Sequence, residues 1–370
     1  MKTVYILGAG FSAEAGAPTQ KKIISEAFRL QAQSHEHFRD QRMFMLFKEF
    51  LTTQLHIHDN NHKFVDLEDV FTPLDRCLSE NSQFRGISVK QLSDVRKAAF
   101  YVIGQTIQSV IREANPAARH YIDDFAAYLV KACEIRAHNQ YRFADPVSVI
   151  STNWDALLDN ALYQAIQQNQ TDGVVDYCCY ISAHDDDDSS IKPGLEVLGR
   201  GGYNIKLLKP HGSLNWKQCP RCMRLYAKFT NDDLSSYWAN AESCRHCDEN
   251  FPEERGNHKL FANLIMPTFI KDLNNPQYKV IWQNAGIEIA EASELVFIGY
   301  SLPSADFEMR QLLSRMTRKN AKIRVVDLAT DEQRRNVIQT RWNQFFGERE
   351  ITYYFDGATK YIEKMIHNGA

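Results

Sequence analysis

The chain has 370 residues, of which 44% are hydrophobic and 24% are charged, and its formal net charge is −3. These values are ordinary for a folded globular protein, and the length allows one large domain or two medium ones. A net charge this close to zero gives no general reason to expect nucleic acid or an anionic membrane as a partner. No apolar run approaches the roughly 20 residues that span a bilayer. The first residues are typical of a strand and not of a signal peptide, so we expect a cytoplasmic protein with no membrane association.

The first twenty residues predict a turn that binds phosphate. Residues 2–7 are typical of a short buried strand, and a G-x-G-x-x-A pattern follows them directly. Glycines at such a turn let backbone N–H groups approach a pyrophosphate, which the start of the next helix also attracts. A G-x-G after a strand also occurs in ordinary tight turns, so the pattern alone leaves both interpretations open. The candidate phosphate-binding residues are Gly8, Ala9, Gly10, Ser12 and Ala13.

A long helical stretch interrupts this α/β pattern. From about residue 34 to residue 140, apolar side chains recur at helical spacing and there is little strand signal. We interpret residues 34–140 as a helical insertion between the two parts of one α/β domain, residues 1–33 and residues 141–370. Residues 171–203 are typical of a loop, because glycine and aspartate dominate much of this stretch.

Polar residues follow the next predicted strands at their carboxyl ends, where open α/β sheets bind ligands. Asn153 and Asp155 follow a strand at residues 146–151, and His211 follows a strand at residues 205–208. The residues around Asn153 could instead cap the next helix, and a single histidine is often structural. Histidine is nevertheless the side chain best suited to general-base catalysis near neutral pH.

Two later strands end in a similar way. Gly299 and Ser301 come at the end of a strand predicted for residues 294–299, and Asp327 lies near the end of a strand predicted for residues 322–328. An acidic residue at such a strand end commonly binds ribose hydroxyls. The alternative is that Asp327 serves only as a cap or turn residue before the following helix.

Four of the eight cysteines form two C-x-x-C pairs separated by 21 residues. This spacing is typical of a structural zinc site, in which four thiolates leave no open position for a catalytic water. We therefore expect zinc to fold a small module of residues 216–250. Basic residues in the module would also suit a nucleic-acid-binding ribbon, but neighbouring acidic residues dilute their charge and argue against direct nucleic-acid binding. The predicted zinc ligands are Cys219, Cys222, Cys244 and Cys247.

Two other groups of metal-type side chains have weaker patterns. His56, His58 and His62 lie within seven residues of one another, and residues 185–188 are four consecutive aspartates. Either group could bind a cation, but neither has a recognisable framework of additional ligands. Solvated loops are the alternative interpretation for both groups.

The glycine-rich run and three later motifs resemble those of the sirtuins, an NAD-consuming family with a Rossmann-like fold. Residues 8–18 resemble the opening motif of that family, residues 152–155 its Thr-Gln-Asn-Ile-Asp motif, residues 211–212 its His-Gly motif, and residues 299–302 its Gly-Thr-Ser-Leu turn. The cysteine pairs lie between the last two motifs, as in that family. The resemblance implies a Rossmann-like parallel sheet with helices on both faces, a helical insertion lobe and a small four-cysteine zinc module.

The resemblance also implies roles for individual residues. Asn153 would lie beside the nicotinamide ribose, His211 would be the catalytic base, and Asp155 would help to hold the site. Gly299 and Ser301 would line the nucleotide pocket. NAD would then be consumed as a substrate, while Zn²⁺ would be structural.

Two departures from the family pattern concern the acceptor of the ADP-ribosyl group. The usual opening run continues with Asp-Phe-Arg where this chain has Thr19, Gln20 and Lys21, and no Phe-Gly-Glu segment for contacting an acyl-lysine peptide is present. Water is therefore the expected acceptor, which would make the protein an NAD glycohydrolase. An NAD-dependent protein deacylase or ADP-ribosyl transferase and a non-catalytic NAD or ADP-ribose sensor are the alternatives.

A Gly-Ala-Gly-Phe-Ser run combined with a large helical insertion looks like the bacterial sirtuin-like branch found in antiphage defence. That resemblance implies NAD depletion once infection is sensed, usually by a homo-oligomer and often beside a HerA-type ATPase partner. A constitutively active NAD hydrolase would poison its host. We therefore expect low basal activity that depends on assembly.

Overall fold

The computed structural model describes residues 2–58, 65–138, 145–169, 172–185, 191, 202–229, 242–262, 264–268, 271, 273 and 275–368. Two of the groups named above fall partly outside this range. His62 and residues 186–188 lie outside the described residues, so the histidine group and the aspartate run are described only in part.

Within the described ranges, ten strands form two sheets. In chain order the strands are β1 (Thr3–Leu7), β2 (Val147–Ser151), β3 (Gly173–Asp176), β4 (Ile181–Ala183), β5 (Tyr203–Leu208), β6 (Trp216–Gln218), β7 (Leu225–Ala227), β8 (Glu294–Ile298), β9 (Lys322–Val326) and β10 (Ile351–Tyr354). The large sheet has the order β10-β9-β8-β1-β2-β5-β3, and its neighbouring strands pair in parallel. The small sheet has the order β4-β7-β6 and contains one antiparallel pair.

Twelve helices accompany these strands in the described residues. They are α1 (Ala9–Ala13), α2 (Ile23–Gln33), α3 (Gln41–Glu49), α4 (Leu67–Ser79), α5 (Val89–Glu113), α6 (His120–His138), α7 (Leu157–Gln168), α8 (Arg245–Asn250), α9 (Pro276–Glu291), α10 (Phe307–Met316), α11 (Glu332–Phe346) and α12 (Gly357–Asn368). None of these helices has the length and apolar character needed to cross a membrane.

Helices cover both faces of the large sheet. Tyr5 on β1 packs against Phe125 of α6, with the ring centroids 5.0 Å apart. Phe297 on β8 packs against Trp342 of α11 at 4.5 Å. Tyr5 is level with Val296 in the β1–β8 pairing, so Phe297 points to the opposite face. This arrangement confirms the predicted Rossmann-like parallel sheet with helices on both faces.

The central strand, β1, is a continuous apolar run because of its position in the large sheet. Val4, Tyr5, Ile6 and Leu7 are all buried, because β1 lies between β2 and β8 and both of its faces are covered. Parallel strands buried on both faces are continuous apolar runs and do not alternate with polar residues. The expectation of a loop throughout residues 171–203 was wrong, because β3 and β4 lie within it. Both are only three or four residues long, too short to show a strand period.

The buried apolar side chains form two large clusters. The first contains the large sheet together with α6, whose Phe125 and Leu129 are fully buried against it. The second joins α2, α3, α4 and α5, with Phe47 and Phe71 among its buried residues. The described packing thus places α2 with the helical lobe and α6 with the sheet. The domain limits at residues 34 and 140 stay a prediction.

Candidate active site

The carboxyl ends of β1, β2, β5, β8 and β9 lie at one edge of the large sheet because these strands are parallel. A cleft of about 390 Å³ lies at this edge, and residues of the helical lobe such as Glu68 and Ile107 form part of its wall. Nine of the predicted site residues line the cleft. They are Ala9, Gly10, Ser12, Asn153, Asp155, His211, Gly299, Ser301 and Asp327. Gly8 and Ala13 belong to the same turn but do not line the cleft.

The turns after β1 and β8 touch each other through their backbones. A Cβ atom added at Gly8 would lie 2.5 Å from Tyr300 Cα, and one added at Gly10 would lie 2.7 Å from Gly299 Cα. The Gly10 N–H donates to the Gly299 carbonyl oxygen at 2.9 Å. Gly8 and Gly10 are therefore required for the contact between the two turns, and the Gly10 N–H is used within the protein.

Asn153 is held in one orientation by the β1 turn. Its Nδ2 donates to the Gly8 carbonyl oxygen at 2.9 Å and to Ser12 Oγ at 3.1 Å. Because a carbonyl oxygen can only accept, the amide nitrogen must point to Gly8, which leaves Asn153 Oδ1 as an acceptor without a donor among the described residues. The Ser12 hydroxyl also bonds the Asp155 carboxylate, whose pKa is raised by burial despite this bond and the nearby charge of Lys209.

His211 follows β5 in a turn that Gly212 makes with a φ of 77°. Its side chain is 13% exposed. The ring lies between two oxygens, with Nδ1 at 3.3 Å from the Thr152 carbonyl oxygen and Nε2 at 3.1 Å from Asp306 Oδ1. The Thr152 carbonyl oxygen can only accept a hydrogen bond. The same holds for Asp306 Oδ1 when the carboxyl group is ionised.

Asp306, which the sequence analysis did not single out, is the centre of a buried charged group. Lys271 Nζ lies 2.9 Å from its Oδ1, and the Tyr300 hydroxyl donates to its Oδ2 at 2.9 Å. Burial alone would raise the pKa of Asp306, but His211 and Lys271 outweigh that effect and hold the pKa well below its usual range. Lys271 is 1% exposed and also pairs with Glu308 at 2.6 Å.

A second buried lysine, also not predicted, connects the loops after β2 and β5. Lys209 has no exposed side-chain surface and lies 2.9 Å from Asp159 Oδ2. Its Nζ also donates to Ser213 Oγ at 2.6 Å and to the carbonyl oxygen of Asp155 at 2.7 Å. These bonds fix the loop that carries His211 against the loop that carries Asn153.

Asp327 directly follows β9 and lines the cleft. It does not cap α11, because Asp331 does so by accepting from the Arg334 N–H at 2.7 Å. Asp327 Oδ1 accepts from the Leu328 N–H at 2.7 Å and lies 4.0 Å from Arg334. Burial raises the pKa of Asp327. The alternative of a helix cap is therefore wrong, while that of a turn residue stays open, and the carboxylate lines the cleft.

The four predicted zinc ligands come together away from the cleft. Cys219 and Cys247 have their sulfurs 3.7 Å apart, as do Cys222 and Cys244, and all four lie within 4.8 Å of one another. Zn–S bonds of about 2.3 Å in a tetrahedron place sulfurs about 3.8 Å apart. The cluster therefore fits a tetrahedral metal ion. Over the described part of the chain, no other group of three or more metal-type ligands is found.

Comparison with known proteins gives matches only among solved structures. No protein-family model matches the chain, and no curated protein matches it. A structure on sirtuin substrate affinity is 13% identical, with 99% of this chain and 92% of that chain covered and a TM-score of 0.38. A complex of Sir2 with a p53 peptide and NAD⁺ gives the same four values. A mutant Sir2 homologue bound to ADP-ribose is 12% identical, with 99% and 90% covered and a TM-score of 0.39.

Proposed function

We propose that this protein is an NAD glycohydrolase that cleaves NAD to nicotinamide and ADP-ribose. The observation that carries the proposal is the meeting of Asn153 and His211, from different strand ends, in the cleft beside the glycine turn. The nicotinamide of NAD is already a cationic leaving group, so cleavage needs little acid catalysis. It needs a positioned water, a base, and acceptors that stabilise positive charge on the ribose.

The polar atoms of the cleft suit these tasks. Asn153 Oδ1 is the acceptor that would orient the attacking water or a hydroxyl of the nicotinamide ribose, because both amide hydrogens are bonded within the protein. His211 is the base that would take the proton of the water. Asp155 would support both through Ser12 and through the carbonyl oxygen that Lys209 binds.

The remaining predicted residues would hold the rest of NAD. In this proposal Asp327 binds ribose hydroxyls of the adenosine half, for which its position at the end of β9 and its partly free carboxylate are suited. The pyrophosphate lies against the glycine turn, and Gly299 and Ser301 contact the adenosine half. The turn residues involved are Gly8, Ala9, Gly10, Ser12 and Ala13.

The segment before α9 supports water as the acceptor. A peptide-contacting segment was sought there in the sequence and not found. Lys271, one of the described residues of this segment, is directed inward and binds Asp306 and Glu308. A lysine held this way contributes to the cleft and not to a surface for an extended peptide.

We further propose that Cys219, Cys222, Cys244 and Cys247 hold a structural Zn²⁺, which would stabilise the module and take no part in the reaction. The four sulfurs would fill its coordination shell.

We also propose the setting that the sequence resemblance implies. The protein would act in the cytoplasm as the NAD-depleting effector of a bacterial antiphage defence system, as a homo-oligomer and with a HerA-type ATPase partner. Its basal activity would be low until assembly.

The test is NAD consumption by the purified protein, with chromatography of the products, over a range of protein concentrations. His211→Ala is expected to lower kcat by about 100-fold to 10,000-fold, the usual contribution of a general base. Asn153→Ala should also lower kcat. His58→Ala is the matched control, because His58 is exposed and lies outside the cleft. The assay is repeated with an acyl-lysine peptide.

Each outcome assigns the acceptor. Nicotinamide and ADP-ribose formed without peptide support the glycohydrolase. Nicotinamide and an acylated ADP-ribose formed only with peptide would replace it with a deacylase. NAD binding without turnover at any protein concentration would favour a sensor, and full activity in His211→Ala would remove the assigned base.

A further inference from the structure

The two partners of the His211 ring differ in strength. Asp306 Oδ1 lies 3.1 Å from Nε2 and belongs to a carboxylate, whereas the Thr152 carbonyl oxygen lies 3.3 Å from Nδ1 and is neutral. Hydrogen bonds to ionised acceptors are roughly twice as strong as those between neutral groups. When the ring loses one of two protons, the proton on Nε2 is therefore the one retained.

Asp306 is itself fixed in the ionised form and in one orientation. Its two oxygens are bound by Lys271 and Tyr300, and its side chain is only 5% exposed. The charged and titratable groups that the structure gives to this cluster are Lys271, Glu308, Tyr300 and His211. Asp306 therefore presents His211 with an ionised acceptor that is held in a fixed position.

We propose that Asp306 is a positioning residue that keeps the proton of neutral His211 on Nε2 and leaves Nδ1 as the base. Nδ1 is the nitrogen that faces the loop after β2, next to Asn153. This inference rests on the proposed function for its catalytic meaning, but the tautomer itself is a property of the free protein.

In the proposed hydrolysis, each bond that forms is matched by one that breaks. The oxygen of water bonds to C1′ of the ribose as the C1′–N bond to nicotinamide breaks, and nicotinamide leaves with the electron pair as a neutral molecule. The proton of the water passes to His211 Nδ1, which requires the 3.3 Å contact of Nδ1 with the Thr152 carbonyl oxygen to open and admit the water. The resulting imidazolium, with protons on both nitrogens, is stabilised by Asp306 and later releases its proton to solvent.

The kinetic test is Asp306→Asn, which keeps the shape and removes the charge. We expect kcat to fall by about 100-fold with little change in KM, because Asp306 acts through His211. Asp75→Asn is the matched control, since Asp75 is a buried aspartate paired with Arg96 at 2.7 Å on the helical lobe. It should leave kcat unchanged.

The second measurement needs no activity. In histidine-labelled protein, the ¹⁵N signals of His211 are assigned by their loss in His211→Ala. At a pH where the ring is neutral, we expect Nε2 to be protonated and Nδ1 unprotonated in the wild type, and this preference to be lost in Asp306→Asn.

The two measurements separate the possible failures. A wild-type ring with its proton on Nδ1 would overturn the inference, whether or not NAD is hydrolysed. An unchanged kcat in folded Asp306→Asn would also overturn it. If the wild type has the expected tautomer but never cleaves NAD, the proposed function fails while the positioning by Asp306 stands.

Discussion

Gly299 is the residue on which the contact between the two turns depends most. Its φ of 64° lies in the left-handed region, and an added Cβ would overlap the backbone nitrogen of Phe11. Gly256, six residues after the end of the predicted cysteine module, also has a positive φ of 82°, but open space surrounds the position of its Cβ. Substitutions at Gly299 and Gly256 therefore separate the free-energy cost of the left-handed backbone conformation from the free-energy cost of close packing.

We predict that Gly256→Ala lowers the free energy of unfolding by about 1–2 kcal/mol, the cost of a left-handed conformation. Gly299→Ala should lower it by clearly more, because backbone atoms of the β1 turn must also move. It should weaken NAD binding as well. Urea unfolding and calorimetric titration with NAD measure the two effects. Equal losses in the free energy of unfolding of the two variants would show that moving the two turns apart has no free-energy cost.

The sequence analysis found the site residues that belong to recognisable motifs. It missed residues that reach the site only through contacts with other side chains. Asn153 and His211 follow strands and were found from that position. Asp306 precedes a helix, where an aspartate is usually a cap. Lys271 lies in a stretch without helical or strand pattern. Asp306 is recognised as part of the site because it lies 3.1 Å from His211 Nε2, and Lys271 because it lies 2.9 Å from Asp306.

At the scale of elements, the loops after β2 and β5 act as one unit because Lys209 joins them. A fully buried lysine requires compensation for its lost hydration. Lys209 receives it from Asp159, Ser213 and a backbone carbonyl oxygen. The position of His211 relative to Asn153 thus depends on the buried ammonium group of Lys209.

We predict that Lys209→Met lowers the free energy of unfolding by about 3–5 kcal/mol, because Asp159 is left as a buried charge without its cation. Lys21→Met is the control, since Lys21 is 82% exposed and lies 3.9 Å from an exposed Asp66. It should change stability by less than about 1 kcal/mol. Chemical denaturation of both variants decides the matter, and a mild effect at Lys209 would contradict the role assigned to the pair.

The regular elements were predictable where they are long or strongly apolar. β1, β2 and β8 are rich in buried apolar residues, and this composition predicts strands. β3 and β4 were not predictable, because strands of three or four residues contain too few side chains for a period. Their identity depends on pairing with β5 and β7, which are distant in sequence.

At the scale of the whole molecule, the cysteine cluster has its own small core. Its buried residues include Tyr226 and Leu260 and form a cluster separate from the two large ones. Small apolar clusters of this size seldom fold without a metal or disulfides. None of the four cysteines forms a disulfide.

We predict that the purified protein contains one zinc ion per chain, measured by elemental mass spectrometry. Cys244→Ser should lose most of this zinc, because one of the four thiolates is removed. Cys77→Ser is the matched control, as Cys77 lies on α4 outside the cluster, and it should retain the metal. A metal-free wild type that is folded would contradict the prediction.

The position of β1 in the middle of the large sheet has a consequence for how the chain is made. β1 is translated before β2 to β7, yet one of its neighbours in the sheet, β8, is translated after all of them. The carboxylate of Glu14, next to the β1 turn, likewise binds backbone N–H groups at the start of α12. Contacts between such distant segments form late. A nascent chain therefore cannot complete the cleft until β8 and the start of α12 have been synthesised.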